Sequence, residues 1–220
     1  LVGSEMCIRD SDYQAKREAW YTEMTDPAKK PVKPLRPQAI MGVVNEFVTD
    51  DDTSVCDASL ASGWAACYLK FEKAGRRNMA PRGLAGLGWG CPAAIGASLA
   101  GKQQGRILHF AGDGGFGYSL QEMEVMKRVE LPILTFIFNN DTLGWIKHVQ
   151  KDHYDQNYVS TDFNHVDFAQ VAKGFGLRTY NVSTLDELRS ALEAEQGQKG
   201  PALIDIISDQ WETPVQGLRG

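Results

Sequence analysis

The sequence has no basic cluster, no Cys-x-x-Cys pair and no apolar run approaching the ~18 residues of a membrane span, and each absence removes a class of function. Neutralising nucleic-acid phosphates needs concentrated Lys and Arg, whereas this chain carries a formal net charge of -5. No nucleic-acid partner is expected. Cys7, Cys56, Cys67 and Cys91 lie scattered among apolar neighbours, the pattern of buried reduced thiols rather than of a disulfide framework or zinc site. Reduced thiols fit a cytoplasm. The start lacks the basic-then-apolar order of a signal peptide, so the expectation is a soluble, cytoplasmic protein with a small-molecule partner and no membrane contact.

What is present is ordinary globular composition. The 220 residues are 43% hydrophobic and 23% charged, enough for one sizeable α/β domain with a true core. The opening "LVGSEMCIRDS" has neither strand nor helix periodicity, and Leu1 is not an initiator. The expectation is a foreign tail, similar to a translated sequencing adapter, joined to a chain that begins inside a larger protein. "YQAKREAWYTEM" has weak helical character. Pro27, Pro31, Pro34 and Pro37 then favour an extended connector, because closely spaced prolines cannot continue a helix. The expected division is residues 1–36 as tail plus linker from a missing middle domain, and residues 37–220 as the domain proper.

Beyond that boundary, short apolar runs alternate with amphipathic stretches. The expected order is a helix over 39–47, strand "TSVCD", a helix over 62–72, glycine-rich "RGLAGLGWG" and helix "CPAAIGASLAG". Strand "RILHFA", a glycine loop, a helix over 119–129 and strand "ILTFIF" follow. After "NNDTLGWIKHVQ" and a polar loop come helix "VDFAQVAKGFG", strand "RTYNV", a helix from Thr184 and final strand "ALIDII". Such alternation implies parallel strands covered on both faces. The fold class is therefore α/β, a doubly wound parallel sheet with helices on both faces, whose ligands sit outside the carboxyl ends of the strands.

The loop "FAGDGGFGYS" carries Gly112, Gly114 and Gly117 in the G-x-G-x-x-G spacing of a dinucleotide-binding turn, with Asp141 placed to meet a ribose hydroxyl. Asp113 fits that reading poorly, because its carboxylate would face the pyrophosphate. Two like unit charges at about 4 Å repel by ~1 kcal/mol in water and several-fold more in a partly dry cleft. A cation between them removes the conflict. Mg²⁺ takes one or two protein oxygens together with phosphate oxygens and water. Asn139, Asn140, Asp141 and Thr142 follow the next strand, so Asp113 and Asn140 can converge on one ion while Gly112, Gly114 and Gly115 leave backbone room for a diphosphate.

"GDG" after one strand and "NN" after the next, 27 residues from Asp113 to Asn140, resembles the thiamine-diphosphate-binding motif. The resemblance runs over roughly residues 37–207 and is closest to the acetolactate synthase group. It implies the thiamine-diphosphate-binding fold, with Mg²⁺ held by Asp113, Asn140 and the carbonyl of Thr142. "GLAGLGWGCPAAIGA" is similar to the segment that receives the aminopyrimidine and props the bent cofactor, which gives the carbonyl to Ala85 and the prop to Leu87, with Gly86 between them. "DASLASGWAA" resembles a diphosphate-binding stretch anchored by Asp57 and Trp64. Leu60, Ala61 and Ser62 replace the synthases' Gln-His-Gln, leaving Ser59 and Ser62 as contacts. Phe116, Leu143 and Gly144 complete the implied cofactor surroundings. Trp145 and Ile146 stand near the reacting centre as substrate-facing candidates where the synthases have smaller or more flexible apolar residues, and Val149 stands where they place a tryptophan.

The activity implied is decarboxylation or carboligation of a small 2-oxo acid. The activating glutamate belongs to a separate pyrimidine-binding domain, so no catalytic residue is expected within this chain, which would be inactive alone and would need its own N-terminal domains and a second subunit in a homodimer or homotetramer. Another thiamine-diphosphate decarboxylase or lyase, a non-catalytic cofactor-binding subunit and a nicotinamide or flavin dehydrogenase remain alternatives. Blander roles also stand beside these. Asp113 fits a helix start, Asn140 a turn, Leu87 and Trp145 a core or interface, and His148 and His153 a solvated surface.

Overall fold

The computed structural model describes residues 11–20, 22, 33–73, 75, 78–101 and 105–214. Cys7, Pro27 and Pro31 lie outside them, as does the "LVGSEMCIRD" tail. Residues 11–20 form helix α1, whose Trp20 ring stacks on Tyr68 with centroids 5.1 Å apart. The domain that follows runs α2 (Pro37–Asn45), β1 (Thr53–Cys56), α3 (Leu60–Tyr68), β2 (Asn78–Met79), α4 (Gly90–Leu99) and β3 (Ile107–Gly112). It continues through α5 (Asp113–Phe116), a 3-10 turn at Leu120–Glu122, α6 (Met123–Arg128), β4 (Ile133–Asn139), α7 (Gly144–His153), α8 (Phe168–Gly174), β5 (Arg178–Val182), α9 (Leu185–Glu195) and β6 (Ala202–Ile207).

All six strands pair in parallel in the order β2-β1-β3-β4-β6-β5. Side chains of a strand alternate between the two sheet faces, and the central strands divide two cores on that rule. Leu108, Phe110, Leu134, Phe136, Phe138, Ile204 and Ile206 meet α2, α3 and α9. Ile107, Ala111, Ile133, Ile137 and Leu203 meet α4, α6 and α8. Burial on both faces explains why these strands read as continuous apolar runs. Among the described residues, no helix is long and apolar enough to cross a membrane.

Several elements depart from the sequence expectation. α3 spans Leu60–Tyr68 rather than 62–72. The glycine loop after β3 begins with the short helix α5, and the expected 119–129 helix is a 3-10 turn followed by α6. "GWIKHVQKDH", for which no helix is expected, folds as α7. Cys56 and Cys91 are buried as expected, while Cys67 is only half-buried. His148 is not a solvated surface residue, since it packs edge-on against Trp211 at 6.5 Å.

At the N-terminal ends of the strands, a buried ion-pair network closes the sheet. The Glu195 carboxylate accepts from Arg178 Nε at 2.8 Å, Tyr180 Oη at 2.9 Å and Arg106 Nη1 at 3.0 Å. Burial alone would raise the Glu195 carboxyl, but these donors together hold it below the usual carboxylate range. At the start of α9, Thr184 and Glu187 form a reciprocal capping box, satisfying amides that the first helical turn leaves unpaired.

His109, on β3, is fully buried with Nδ1 3.3 Å from Thr135 Oγ1. Burial pushes its imidazole from an ordinary 6.5 down to about 3. A histidine neutral in the fold but protonated when unfolded leaves its stability contribution intact above about pH 6.5 and loses it as pH falls towards 3, by up to about 1.4 kcal/mol per unit. Denaturant unfolding of the wild type and His109→Leu between pH 7 and 4.5 should therefore show a steeper acid loss in the wild type. Parallel pH profiles would refute that assignment.

Candidate functional site

β1, β3 and β4 end side by side, with Cys56 paired to Phe110 and Gly112 to Phe138. The chain leaves β1 for β2 on one side and β3 for β4 on the other, so the winding reverses between β1 and β3. In an open α/β sheet the ligand crevice opens at that reversal. A cleft occupies the position here, lined by Ser59, Leu87, Gly112, Asp113, Gly114, Gly115, Asn140, Thr142, Leu143 and Gly144. Asp209 and Glu212, from the segment after β6, complete its rim.

Asp113 is 7% exposed at the junction of β3 and α5. Its Oδ1 accepts from the Gly114 amide at 2.7 Å and its Oδ2 from the Asn140 amide at 3.1 Å. Burial raises its carboxyl to about 6 although these amides pull the other way. A cation at the carboxylate favours the ionised form. The Asn140 side-chain oxygen turns towards Thr142 and accepts its amide at 3.3 Å. The Asp113 carboxylate and the Asn140 side-chain oxygen thus stand at the ends of neighbouring strands, hard oxygen donors of the kind that suit Mg²⁺. Among the described residues no three His, Cys, Asp or Glu side chains gather in a metal-binding group, and Asp113 is the carboxylate that the end of β3 brings to the cleft.

Asp57 organises the opposite wall. Buried at the end of β1, it accepts from the amides of Ala58 at 2.8 Å, Gly88 at 3.0 Å and Gly90 at 3.3 Å. One carboxylate therefore ties the glycine-rich loop and the start of α4 to β1. A Cβ on Gly115 would lie 2.4 Å from Asp57 Oδ2, so this approach requires glycine. Gly112 differs, because a Cβ there would meet nothing within 4 Å. Its missing side chain is space that opens on the cleft.

Two helices begin at the cleft without side-chain caps, α3 after Ser59 and α7 after Leu143. Uncapped first turns present amides and the positive end of the helix dipole, both of which favour an anion. Ser59 holds φ 72° and ψ -148°, a strained region for a residue with a side chain.

Some expected site residues stand apart from this group. Phe116 is 1% exposed and packs its ring on Phe168 at 5.7 Å, so its side chain belongs to the core. Ser62 is buried, donating to the Ser59 carbonyl at 2.8 Å and accepting from Arg82 at 2.9 Å, and it supports the loop from behind. Ala85, with φ 53°, and Gly86 are exposed beyond Leu87 and do not line the cleft. Trp145 and Ile146 are exposed on α7, outside the cleft lining. Asp141, the ribose partner required by a dinucleotide reading, instead pairs with His165 at 3.0 Å and is likewise outside that lining. Sequence reasoning missed Asp209 and Glu212, which follow the last strand with no motif to mark them. It also missed Lys147, a polar residue buried on α7 while the apolar Trp145 and Ile146 of the same helix stay exposed.

Residues 57–206 match the model of the family described as thiamine pyrophosphate enzyme, C-terminal TPP binding domain. The chain is 33% identical over 177 residues to the acetolactate synthase large subunit of Cyanidium caldarium, a match covering 80% of this chain and 30% of the relative. It is 29% identical over 204 residues to the acetolactate synthase isozyme 1 large subunit of Escherichia coli, covering 89% and 36%. The chain thus spans about a third of the length of these relatives. Among solved structures, benzoylformate decarboxylase from Polynucleobacter necessarius superposes with a TM-score of 0.75 at 24% identity, covering 84% of this chain and 35% of that one, a likeness of fold. The dehydrogenase alternative falls with these matches, and the chain belongs to the family of C-terminal thiamine-pyrophosphate-binding domains, with acetolactate synthase large subunits among its relatives.

Proposed function

We propose that the chain is the diphosphate- and Mg²⁺-holding part of an acetolactate synthase-like enzyme that decarboxylates or ligates small 2-oxo acids. The observation that carries the metal is the charge of the cleft. Asp113, Asp209 and Glu212 line it, and no Lys or Arg does among the described residues. A diphosphate entering beside Asp113 needs a cation to offset the repulsion. Asp113, the Asn140 side-chain oxygen and the Thr142 carbonyl are the ligands, and the uncapped starts of α3 and α7 with the open face of Gly112 receive the phosphate oxygens. Glu212 is engaged by Arg36 at 2.7 Å and Gln38 at 2.8 Å, which offsets part of the acidity at the rim.

When bound, thiamine diphosphate supplies the nucleophilic carbon and electron sink for cleavage beside a carbonyl. The protein's contribution is placement. Leu87 stands at the cleft beside Gly115 to prop the cofactor, and Asp57 fixes the loop that carries Leu87. Leu84, Trp89, Tyr118, Trp145, Ile146 and Phe163 are exposed, apolar surface that supports a contact with further domains and a second subunit. Turnover is therefore assigned to the assembled enzyme in the cytoplasm, with this chain alone inactive.

Calorimetry of thiamine diphosphate should show binding that requires Mg²⁺ and weakens at least about 100-fold in Asp113→Ala, since even supporting groups around a metal contribute 10- to 100-fold. Equal affinity in the presence of a chelator would sink the metal assignment, and tight chelator-insensitive NAD binding would sink the cofactor assignment. Gly112 has φ -85° and ψ 160°, a conformation open to alanine. Gly112→Ala should keep its unfolding midpoint yet lose about tenfold or more in cofactor affinity, as one misplaced methyl costs about 1–3 kcal/mol. The purified chain with thiamine diphosphate and Mg²⁺ should release no CO₂ from pyruvate above background, and clear turnover would contradict the need for further domains.

A further inference from the structure

Lys147 is buried in the first half of α7, 6% exposed, a costly place for an ammonium. Its Nζ donates to Asp162 Oδ1 at 2.6 Å and Gln210 Oε1 at 2.7 Å, and it lies 5.0 Å from the Trp211 ring centroid and 5.5 Å from that of Tyr158. The ammonium in turn holds the Asp162 carboxyl below the usual carboxylate range. The Asp162 side chain is 60% exposed against 8% for that of Lys147, so the desolvated end of the pair is the ammonium. What the contact does fix is the position of two segments.

Those segments are the motif loop and its brace. Thr142 and Asp162 form an antiparallel bridge. The Leu143 amide donates to the Thr161 carbonyl at 2.8 Å, the Phe163 amide to the Asp141 carbonyl at 2.8 Å and Thr142 Oγ1 to the Thr161 carbonyl at 3.0 Å. Residues 141–143 are thereby laddered to 161–163. Lys147 holds the brace from α7 while Gln210 and Trp211 hold Lys147 from the segment after β6. That segment is itself anchored by the Ser208 amide on the Asn139 carbonyl at 2.8 Å. The chain from Asn139 to Leu143 is gripped from both sides, with one ammonium at the crossing.

We infer that Lys147 is a positioning residue that sets the Asn140–Thr142 loop for its divalent cation, acting through Asp162 and the 161–163 brace. The inference rests on the metal reading of the cleft. An apolar residue of the same length would fill α7 equally well but would leave the ladder unpinned.

Mn²⁺ binding, read by the loss of its free electron-spin resonance signal in the presence of thiamine diphosphate, tests this on the whole chain. Lys147→Met should weaken Mn²⁺ about tenfold while cofactor affinity at saturating Mn²⁺ stays within twofold of wild type and the ligand-free unfolding midpoint is unchanged. Lys147→Arg, which keeps the charge, should recover most of the loss. Asp162→Asn should reproduce the effect from the exposed side, and the double variant should add nothing, because both changes break one connection. Mn²⁺ affinity within twofold of wild type in Lys147→Met, or additive losses in the double variant, would overturn the positioning role. Should Lys147→Met not fold, Asp162→Asn alone decides by the same threshold. No Mn²⁺ binding by the wild type would instead overturn the metal reading itself.

Discussion

The bond from the Asn140 amide to the Asp113 carboxylate joins the ends of two neighbouring strands, and the cleft depends on it. It forms because β3 and β4 run in parallel register through to Gly112 and Phe138, so that the residues leaving each strand emerge abreast. A slip of one residue would exchange the two faces of β4 and drive its phenylalanines into the opposite core, where Ile133 and Ile137 pack. The two cores thus enforce the register, and the register brings together the acidic and amide oxygens.

A second carboxylate repeats the device on the other wall. Asp57 gathers three amides, from its own turn, the loop before α4 and the first residue of α4, as Asp113 gathers amides from its own turn and from the residue after β4. In each case a buried anion orders main chain that has little side-chain packing of its own. This explains why the glycine-rich segments can be both short of side chains and fixed in place. The loops around the cleft are held by hydrogen bonds, whereas the sheet beneath them is held by apolar contact.

Much of this was legible in the sequence. The strand order of burial, the helices on both faces and the convergence of Asp113 with Asn140 follow from apolar runs and from motif spacing. Reading fails where the determining contact is distant. α7 turns Gly144 and Lys147 inward, towards Asp162 and Gln210, while its apolar Trp145 and Ile146 stay exposed, so its apolar spacing marks the outer side and not a core. Phe116 looks like part of the glycine motif, but the turn of α5 carries its ring inward to Phe168. Ser62 sits among residues of a binding stretch and yet faces Arg82. Ala85 and Gly86 carry the right local pattern, and they are exposed next to Leu87 on the loop that Asp57 holds.

The Glu195 network has a consequence for how such a domain can diverge. It locks the N-terminal ends of the strands with charged groups whose partners come from β5, α9 and the start of β3, so a change there disturbs several elements at once. The opposite ends carry loops secured by amide bonds to the Asp57 and Asp113 carboxylates, and outside those anchors many side chains can accompany them. One rim of the sheet is conservative and the other permissive. Side chains exposed on the upper rim, such as Trp145 and Ile146, can therefore change without renegotiating the architecture below.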